Sequence, residues 1–166
     1  MSNRNTDRTP PAAVAIALGL GSNLGDRAGN LRRALALLAA FVEDLRASSF
    51  LETAPVDCPP GAGRYLNAAA VGRCRLSPVA LHAQCRAVET ALGRPVHRGY
   101  HEDRVIDVDV LLYGEEVLTH PGLTVPHPDL TRRDFVLVPL AEIAADWRVP
   151  PALLTVGEHL RRLPRA

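Results

Sequence analysis

The segment VIDVDVLLY at residues 105–113 decides how this chain folds. Its apolar residues Ile106, Val108 and Val110 alternate with Asp107 and Asp109, which is the two-residue period of a β-strand. Alternation places both carboxylates on one face, about 7 Å apart at roughly 3.3 Å per residue. We therefore predict a strand with one apolar face and one acidic face.

Outward from this strand, the hydrophobic pattern predicts three more strands and two helices. The strands are short apolar runs bounded by glycine, proline or polar residues. The helices show apolar residues at helical spacing, and Ser77-Pro78 is typical of a helix start. The strands lie at residues 13–20, 42–51 and 65–74, and the helices at 27–40 and 78–92.

The resulting order, β-α-β-β-α-β, is typical of a ferredoxin-like α+β fold, with helices packed on one face of an antiparallel sheet. A doubly wound Rossmann fold would need more alternating parallel units. The length of 166 residues fits one domain. We predict a disordered tail over residues 1–12 and a single domain over 13–166.

Charge and composition exclude several classes of protein. The net charge is +1, so no strong field attracts nucleic acid or an anionic membrane. Every one of the 19 basic residues is arginine. The absence of lysine excludes a P-loop lysine and a Schiff-base lysine. Any phosphate must therefore be bound by arginine, backbone N–H groups or metal ions. Three cysteines without a C-x-x-C pair favour a reducing cytoplasm, and no apolar run is long enough to span a membrane.

The pair Asp107 and Asp109 is the strongest local sign of chemistry. Two like charges on a buried strand are costly unless a cation neutralises them. Mg²⁺ commonly takes one or two carboxylates together with substrate phosphates. The alternative is a polar, solvated face of a half-buried sheet.

Two further motifs admit a functional and a structural interpretation. The glycines of segment 19–26 follow a strand and precede a helix, but Leu24 departs from the dinucleotide fingerprint, so a tight turn is the alternative. His127 lies between Pro126 and Pro128, which restrict its backbone. It could contact phosphate or be a structural histidine.

Taken together, four separated segments are similar to the 6-hydroxymethyl-7,8-dihydropterin pyrophosphokinase family. They occur in the family's order and span about residues 14–150. The segments are LGLGSNLGD at 18–26, SSFLETAP at 48–55 followed by YLNAA at 65–69, RVIDVDVLLYG at 104–114, and LTVPHP at 123–128 followed by Arg133 and FVLVPL at 135–140.

The resemblance implies transfer of the β,γ-pyrophosphoryl group of ATP to the pterin hydroxymethyl group, giving AMP. It implies two Mg²⁺ ions held by Asp107 and Asp109, with Arg94 and Arg104 also catalytic. It implies ATP and a pterin as small-molecule partners, no nucleic acid or membrane partner, and a monomer. The implied pterin contacts are Thr53, Ala54, Val56, Tyr65, Asn67 and Phe135, and the implied ATP contacts are Glu89, Arg94, Arg104, Val110, Thr124, His127 and Arg133.

The chain departs from the family's pattern just before the acidic strand. Members usually carry Arg-Trp-Gly-Pro-Arg, whereas this chain has Tyr100-His101-Glu102-Asp103-Arg104. The departure predicts slower chemistry. It also leaves open a divergent paralogue that binds a pterin or nucleotide with weak or no transfer, or that uses another acceptor. A ferredoxin-like interaction module without a ligand is a second alternative.

Overall fold

A computed structural model of the chain describes residues 12–55, 63–94 and 104–164. The predicted tail lies outside these residues apart from Ala12, and the division into tail and single domain stays a prediction. No helix of the described part is long and apolar enough to cross a membrane. The elements are β1 (Val14–Ser22), α1 (Arg27–Leu38), β2 (Glu43–Ala47), β3 (Leu51–Thr53), β4 (Tyr65–Cys74), α2 (Pro78–Ala91), β5 (Asp107–Tyr113), β6 (Leu118–His120), β7 (Leu123–Val125), α3 (Asp134–Ala144), β8 (Arg148–Val149), β9 (Leu154–Thr155) and α4 (Val156–Arg162).

The central sheet has the strand order β2-β4-β1-β5, and its neighbouring strands are all antiparallel. The short strand β3 pairs with the Tyr65 end of β4. Helix α1 connects β1 to β2, and α2 connects β4 to β5. This arrangement confirms the predicted ferredoxin-like α+β fold.

Helices cover both faces of the sheet, not the single face that we predicted. On one face, Ile16, Leu18 and Val108 form a core with residues of α1 and α2. On the other face, Ala17 and Leu111 belong to a second core that includes residues of α3 and α4. The prediction was wrong because part of the second face is also apolar and must be buried against another layer.

Two predicted boundaries also differ from the structure. Strand β1 continues through Gly19 and Gly21 to Ser22, where a turn was predicted, because β4 and β5 pair with it on both sides. The predicted strand at 42–51 is two short strands separated at Ser48. There, Ser48 keeps contact with β4, since Ala69 N donates to Ser48 Oγ at 2.9 Å.

Candidate active site

A cavity of about 370 Å³ opens on the α3 side of the sheet, beyond the second core. Its floor includes Gly19 and Gly21 of β1, which lie directly opposite Asp109 and Asp107 of β5. A Cβ atom on Gly21 would lie 3.2 Å from Asn67 Oδ1. Gly19 and Gly21 therefore present only backbone to the cavity, and a side chain at Gly21 would crowd Asn67.

The residues predicted to bind a pterin converge on one wall of this cavity. Thr53, Ala54, Tyr65, Asn67 and Phe135 all line it. The register of β3 with β4 places Thr53 opposite Tyr65, and Asn67 Nδ2 donates to Thr53 Oγ1 at 2.8 Å. The side-chain amide of Asn67 is thereby oriented. Val56, the sixth predicted contact, lies outside the described residues.

Asp107 is bound by two arginines that also line the cavity. Arg94 Nη1 donates to Asp107 Oδ1 at 2.5 Å, and Arg104 Nη1 donates to Oδ2 at 2.6 Å. Burial alone would raise the pKa of Asp107, but the guanidinium groups of Arg104 and Arg94 outweigh it and lower this pKa below its usual value. Asp107 is therefore ionised near neutral pH.

Asp109 lies only two residues from Asp107, but its carboxyl group has a raised pKa instead of a lowered one. Its side chain is open to the cavity, yet protein surrounds it on the other sides. It has no hydrogen bond or ion pair with the rest of the described chain. Burial, followed by repulsion from Asp107, raises the pKa of Asp109 to about 7. A positive ion in the cavity would favour its charged form.

Glu89 of α2 lies behind these groups and is only 1% exposed. Its Oε1 accepts from Val108 N at 2.8 Å and from Arg94 Nη1 at 2.7 Å, while Oε2 lies 3.2 Å from Arg86 Nη1. Burial nevertheless raises the pKa of Glu89 to about 7. Glu89 lines neither cavity, so its geometry suits holding Arg94 and the β5 edge better than contacting ATP.

A second cavity, of about 250 Å³, adjoins the first. The predicted ATP contacts Val110, Thr124 and His127 line it, and it shares Asp109 and His127 with the first cavity. A nucleotide could therefore lie in the second cavity with its phosphates directed at the carboxylates.

His127 stands between the two cavities in a defined orientation. The backbone N–H of His127 donates to Leu111 O at 2.9 Å. The ring Nδ1 of His127 accepts from Asp129 N at 3.2 Å. The neutral ring consequently carries its proton on Nε2. Burial, the largest effect, lowers the pKa of His127 below its usual value. Its neutral form is a hydrogen-bond donor suited to a phosphate oxygen.

Residues 17–145 match the family model of 7,8-dihydro-6-hydroxymethylpterin-pyrophosphokinase. The chain belongs to this family. A 2-amino-4-hydroxy-6-hydroxymethyldihydropteridine pyrophosphokinase of Methylorubrum extorquens is 41% identical over 154 residues, covering 88% of this chain and 91% of the relative. The enzyme of the same name from Synechocystis is 37% identical over 156 residues, covering 93% and 78%.

Solved structures of this pyrophosphokinase family share the fold. A Plasmodium falciparum HPPK-DHPS triple mutant crystallised with pteroate superposes with a TM-score of 0.74 over 93% of this chain, at 12% identity. An HPPK-DHPS in complex with substrates gives a TM-score of 0.69 at 11% identity. The chain spans 44% and 43% of those two proteins. At such low identity these matches bear on the fold alone.

The two β5 carboxylates of this pyrophosphokinase fit a Mg²⁺ site that the substrate completes. Asp107 and Asp109 project from one strand face into the same cavity. No group of three or more His, Cys, Asp or Glu residues able to hold a metal occurs within residues 12–55, 63–94 and 104–164. Two carboxylates plus phosphate and water oxygens are an arrangement that Mg²⁺ commonly takes.

Sequence reasoning missed several residues that line the cavities. Arg86 could have been found from the sequence, because it lies three residues before Glu89 on α2, at a spacing that brings the two side chains together. Asp129 had no such signal in the sequence; in the structure it lies 3.1 Å from Arg133, in the turn that precedes α3. His82 lines the second cavity from α2, and only the packing of α2 beside β5 reveals it.

Proposed function

We propose that this chain transfers pyrophosphate from ATP to 6-hydroxymethyl-7,8-dihydropterin, giving AMP, as a step of folate biosynthesis. The observation that carries the proposal is the meeting of the two cavities at Asp109 and His127. The first cavity is lined by the described pterin-type residues together with the phosphate-type arginines Arg94, Arg104 and Arg133. The second is lined by the nucleotide-type residues Val110 and Thr124. A phosphate chain crossing between them would pass both shared side chains.

The pterin binds in the first cavity between Tyr65 and Phe135. Offset stacking on a flat ring contributes about 0.5–1.5 kcal/mol beyond burial for such a pair. Asn67 presents an amide beside the ring edge, where it both donates and accepts hydrogen bonds. The bond from Asn67 to Thr53 supports this assignment because it restricts the amide before the ligand arrives.

Arginines and His127 bind the triphosphate. Arg94, Arg104 and Arg133 line the first cavity, and their planar guanidinium groups suit bidentate contact with phosphate oxygens. His127 donates from Nε2. These groups hold the β-phosphorus in line with the pterin hydroxymethyl oxygen. The new O–P bond forms as the bond from the β-phosphorus to the α,β-bridging oxygen breaks, AMP leaves with that oxygen, and the hydroxyl proton passes to solvent. Catalysis is then largely positioning and charge stabilisation.

Asp107 and Asp109 would hold two Mg²⁺ ions, whose chemistry there would be to neutralise the triphosphate and favour in-line attack. The raised pKa of Asp109 supports the assignment, because this carboxyl faces the cavity without a hydrogen bond or ion pair to the described chain, and a cation would favour its charged form. A monomeric state and a cytoplasmic location stay predictions.

The test is direct. The purified chain, incubated with ATP, Mg²⁺ and 6-hydroxymethyl-7,8-dihydropterin, should form AMP and the pterin diphosphate in equal amounts. Omission of the pterin is the control for ATP hydrolysis. Tight pterin binding without AMP formation would reject the proposal in favour of a non-catalytic paralogue.

A further inference from the structure

Every described arginine that lines the first cavity is paired with a carboxylate. Arg104 binds Asp107, and Arg94 binds both Asp107 and Glu89. Arg86 lies 3.2 Å from Glu89, and Arg133 lies 3.1 Å from Asp129. These four arginines face four carboxylates, counting Asp109. The pKa values of Asp109 and Glu89 are raised to about 7, so both carboxyls are only partly ionised at neutral pH. The described part of the site therefore carries a net positive charge before any ligand binds.

This pairing places two guanidinium groups on a carboxylate that the metal also needs. Arg94 and Arg104 use one oxygen of Asp107 each. The Asp107 side chain is 21% exposed, so water screens the pairs only in part. A divalent ion that approaches Asp107 meets two positive groups within hydrogen-bond distance of its ligand. Like charges this close oppose binding strongly.

A triphosphate changes this balance because it offers the same arginines another anion. Guanidinium groups bind phosphate as readily as carboxylate. Once the phosphates take Arg94 and Arg104, the oxygens of Asp107 become available to a cation. The triphosphate also brings negative charge that offsets the metal, whereas a metal alone adds positive charge beside the arginines.

We propose that Arg94 and Arg104 keep Asp107 closed to divalent ions until a triphosphate takes over their guanidinium groups. The inference rests on the proposed function, since it assumes the metal site at Asp107 and Asp109. It assigns the two arginines a role before chemistry: they make the metal and the nucleotide bind as a unit.

The test measures Mn²⁺ binding to the full chain by electron paramagnetic resonance, with no nucleotide present. Arg104→Gln is the informative variant, because Arg94 also supports the buried Glu89. Removing one guanidinium from Asp107 should tighten Mn²⁺ binding by roughly tenfold or more, by analogy with the effect of one nearby charge on a pKa. If Arg104→Gln does not fold, Arg104→Met, which keeps the length of the side chain, replaces it.

Arg133→Gln is the matched control. It removes the same charge from the same cavity but from Asp129 instead of Asp107, so it should change Mn²⁺ affinity much less. The double variant Arg104→Gln/Asp107→Asn should lose the gain. Equal Mn²⁺ affinity in the wild type and Arg104→Gln, or an equal gain in Arg133→Gln, would overturn the inference.

A separate measurement distinguishes failure of this inference from failure of the proposed function. The wild type is titrated with Mn²⁺ in the presence of a non-hydrolysable ATP analogue. A protein-bound metal that Asp109→Asn removes would support the metal site whatever Arg104→Gln does. No protein-bound metal under these conditions would reject the site itself, and the inference with it.

Discussion

Asp107 on β5 lies directly opposite Gly21 on β1, and this cross-strand pair forms part of the floor of the candidate active site. Glycine at this position leaves space that a larger residue would fill. The pair therefore places the Asp107 carboxylate next to the open space in front of Asn67 and Tyr65, which a side chain at position 21 would reduce.

Gly21→Ala should weaken pterin binding roughly tenfold while the protein stays folded. The added Cβ would lie 3.2 Å from Asn67 Oδ1, which forces the amide to move. Alanine otherwise suits a strand at least as well as glycine. Calorimetric titration with the pterin measures the effect. Gly19→Ala is the control, since its Cβ would press on the flexible Leu111 side chain instead; unchanged pterin affinity in Gly21→Ala would contradict the prediction.

Asp107→Asn and Asp109→Asn should each lower the rate of transfer by roughly 100-fold or more, because each removes a metal ligand. They should differ in stability. Asp107→Asn leaves Arg94 and Arg104 without their carboxylate and should cost about 1–3 kcal/mol. Asp109→Asn removes a charge that burial disfavours, so its thermal midpoint should stay equal or rise. Calorimetric scans at pH 7.5 together with an AMP assay separate the two effects, and equal destabilisation would argue against the geometry.

Asp109 and Glu89 should contribute stability to the ligand-free protein that is lost as pH rises between about 4 and about 7, while His82, His127 and His159, whose pKa values are lowered, act oppositely just below pH 6.5. The pKa of Asp109 is raised from 3.8 to about 7 and that of Glu89 from 4.5 to about 7. Within this window these two carboxyls bind more protons in the folded state than in the unfolded state, so their contribution to the free energy of unfolding falls with increasing pH. Asp107, with its lowered pKa, acts oppositely and only in more acidic solution.

Urea denaturation at several pH values measures this slope. Asp109→Asn should flatten it, because the substitution removes one of the two responsible groups. Asp146→Asn is the control, since Asp146 is exposed beyond the end of α3. A slope that Asp109→Asn leaves intact would show that this carboxyl is not the proton acceptor.

Phe135→Ala and Tyr65→Ala should each weaken pterin binding more than ATP binding. Both rings line the first cavity but not the second, and stacking acts on the pterin ring. Titration calorimetry with each ligand measures the two affinities. Phe135→Leu keeps much of the apolar volume and should fall between the wild type and Phe135→Ala. Equal losses for both ligands would place the pterin elsewhere.

A further prediction concerns the segment Tyr100–Asp103 and rests on the sequence alone, because this segment lies outside the described residues. The combined change Tyr100→Arg, His101→Trp, Glu102→Gly and Asp103→Pro restores the family's usual residues. It should raise the single-turnover rate of transfer, because an arginine that contacts the transferring group acts mainly in the transition state. Unaltered, family-like rates in the native chain would show that another arginine already performs this role.

Much of the fold and the site followed from local patterns. Period-two alternation is a property of a single strand, so it placed Asp107 and Asp109 on one face before any neighbour was known. The N-terminal cap of α2 was equally local, and the structure confirms that Ala80 N donates to Ser77 Oγ at 3.3 Å. Family resemblance then named pterin and ATP contacts, and those in the described chain line the cavities apart from Glu89.

What only the tertiary structure decided was which distant residues meet. The register of β1 with β5 set Gly19 and Gly21 against the carboxylates, and β1 itself appeared from the sequence to end in a turn. The packing of α2 beside β5 buried Glu89 behind both cavities, where it binds Arg94 and the backbone of Val108. Strand register and helix docking depend on the free energy of the whole core, to which residues far apart in the chain contribute together, so no local window of sequence contains them.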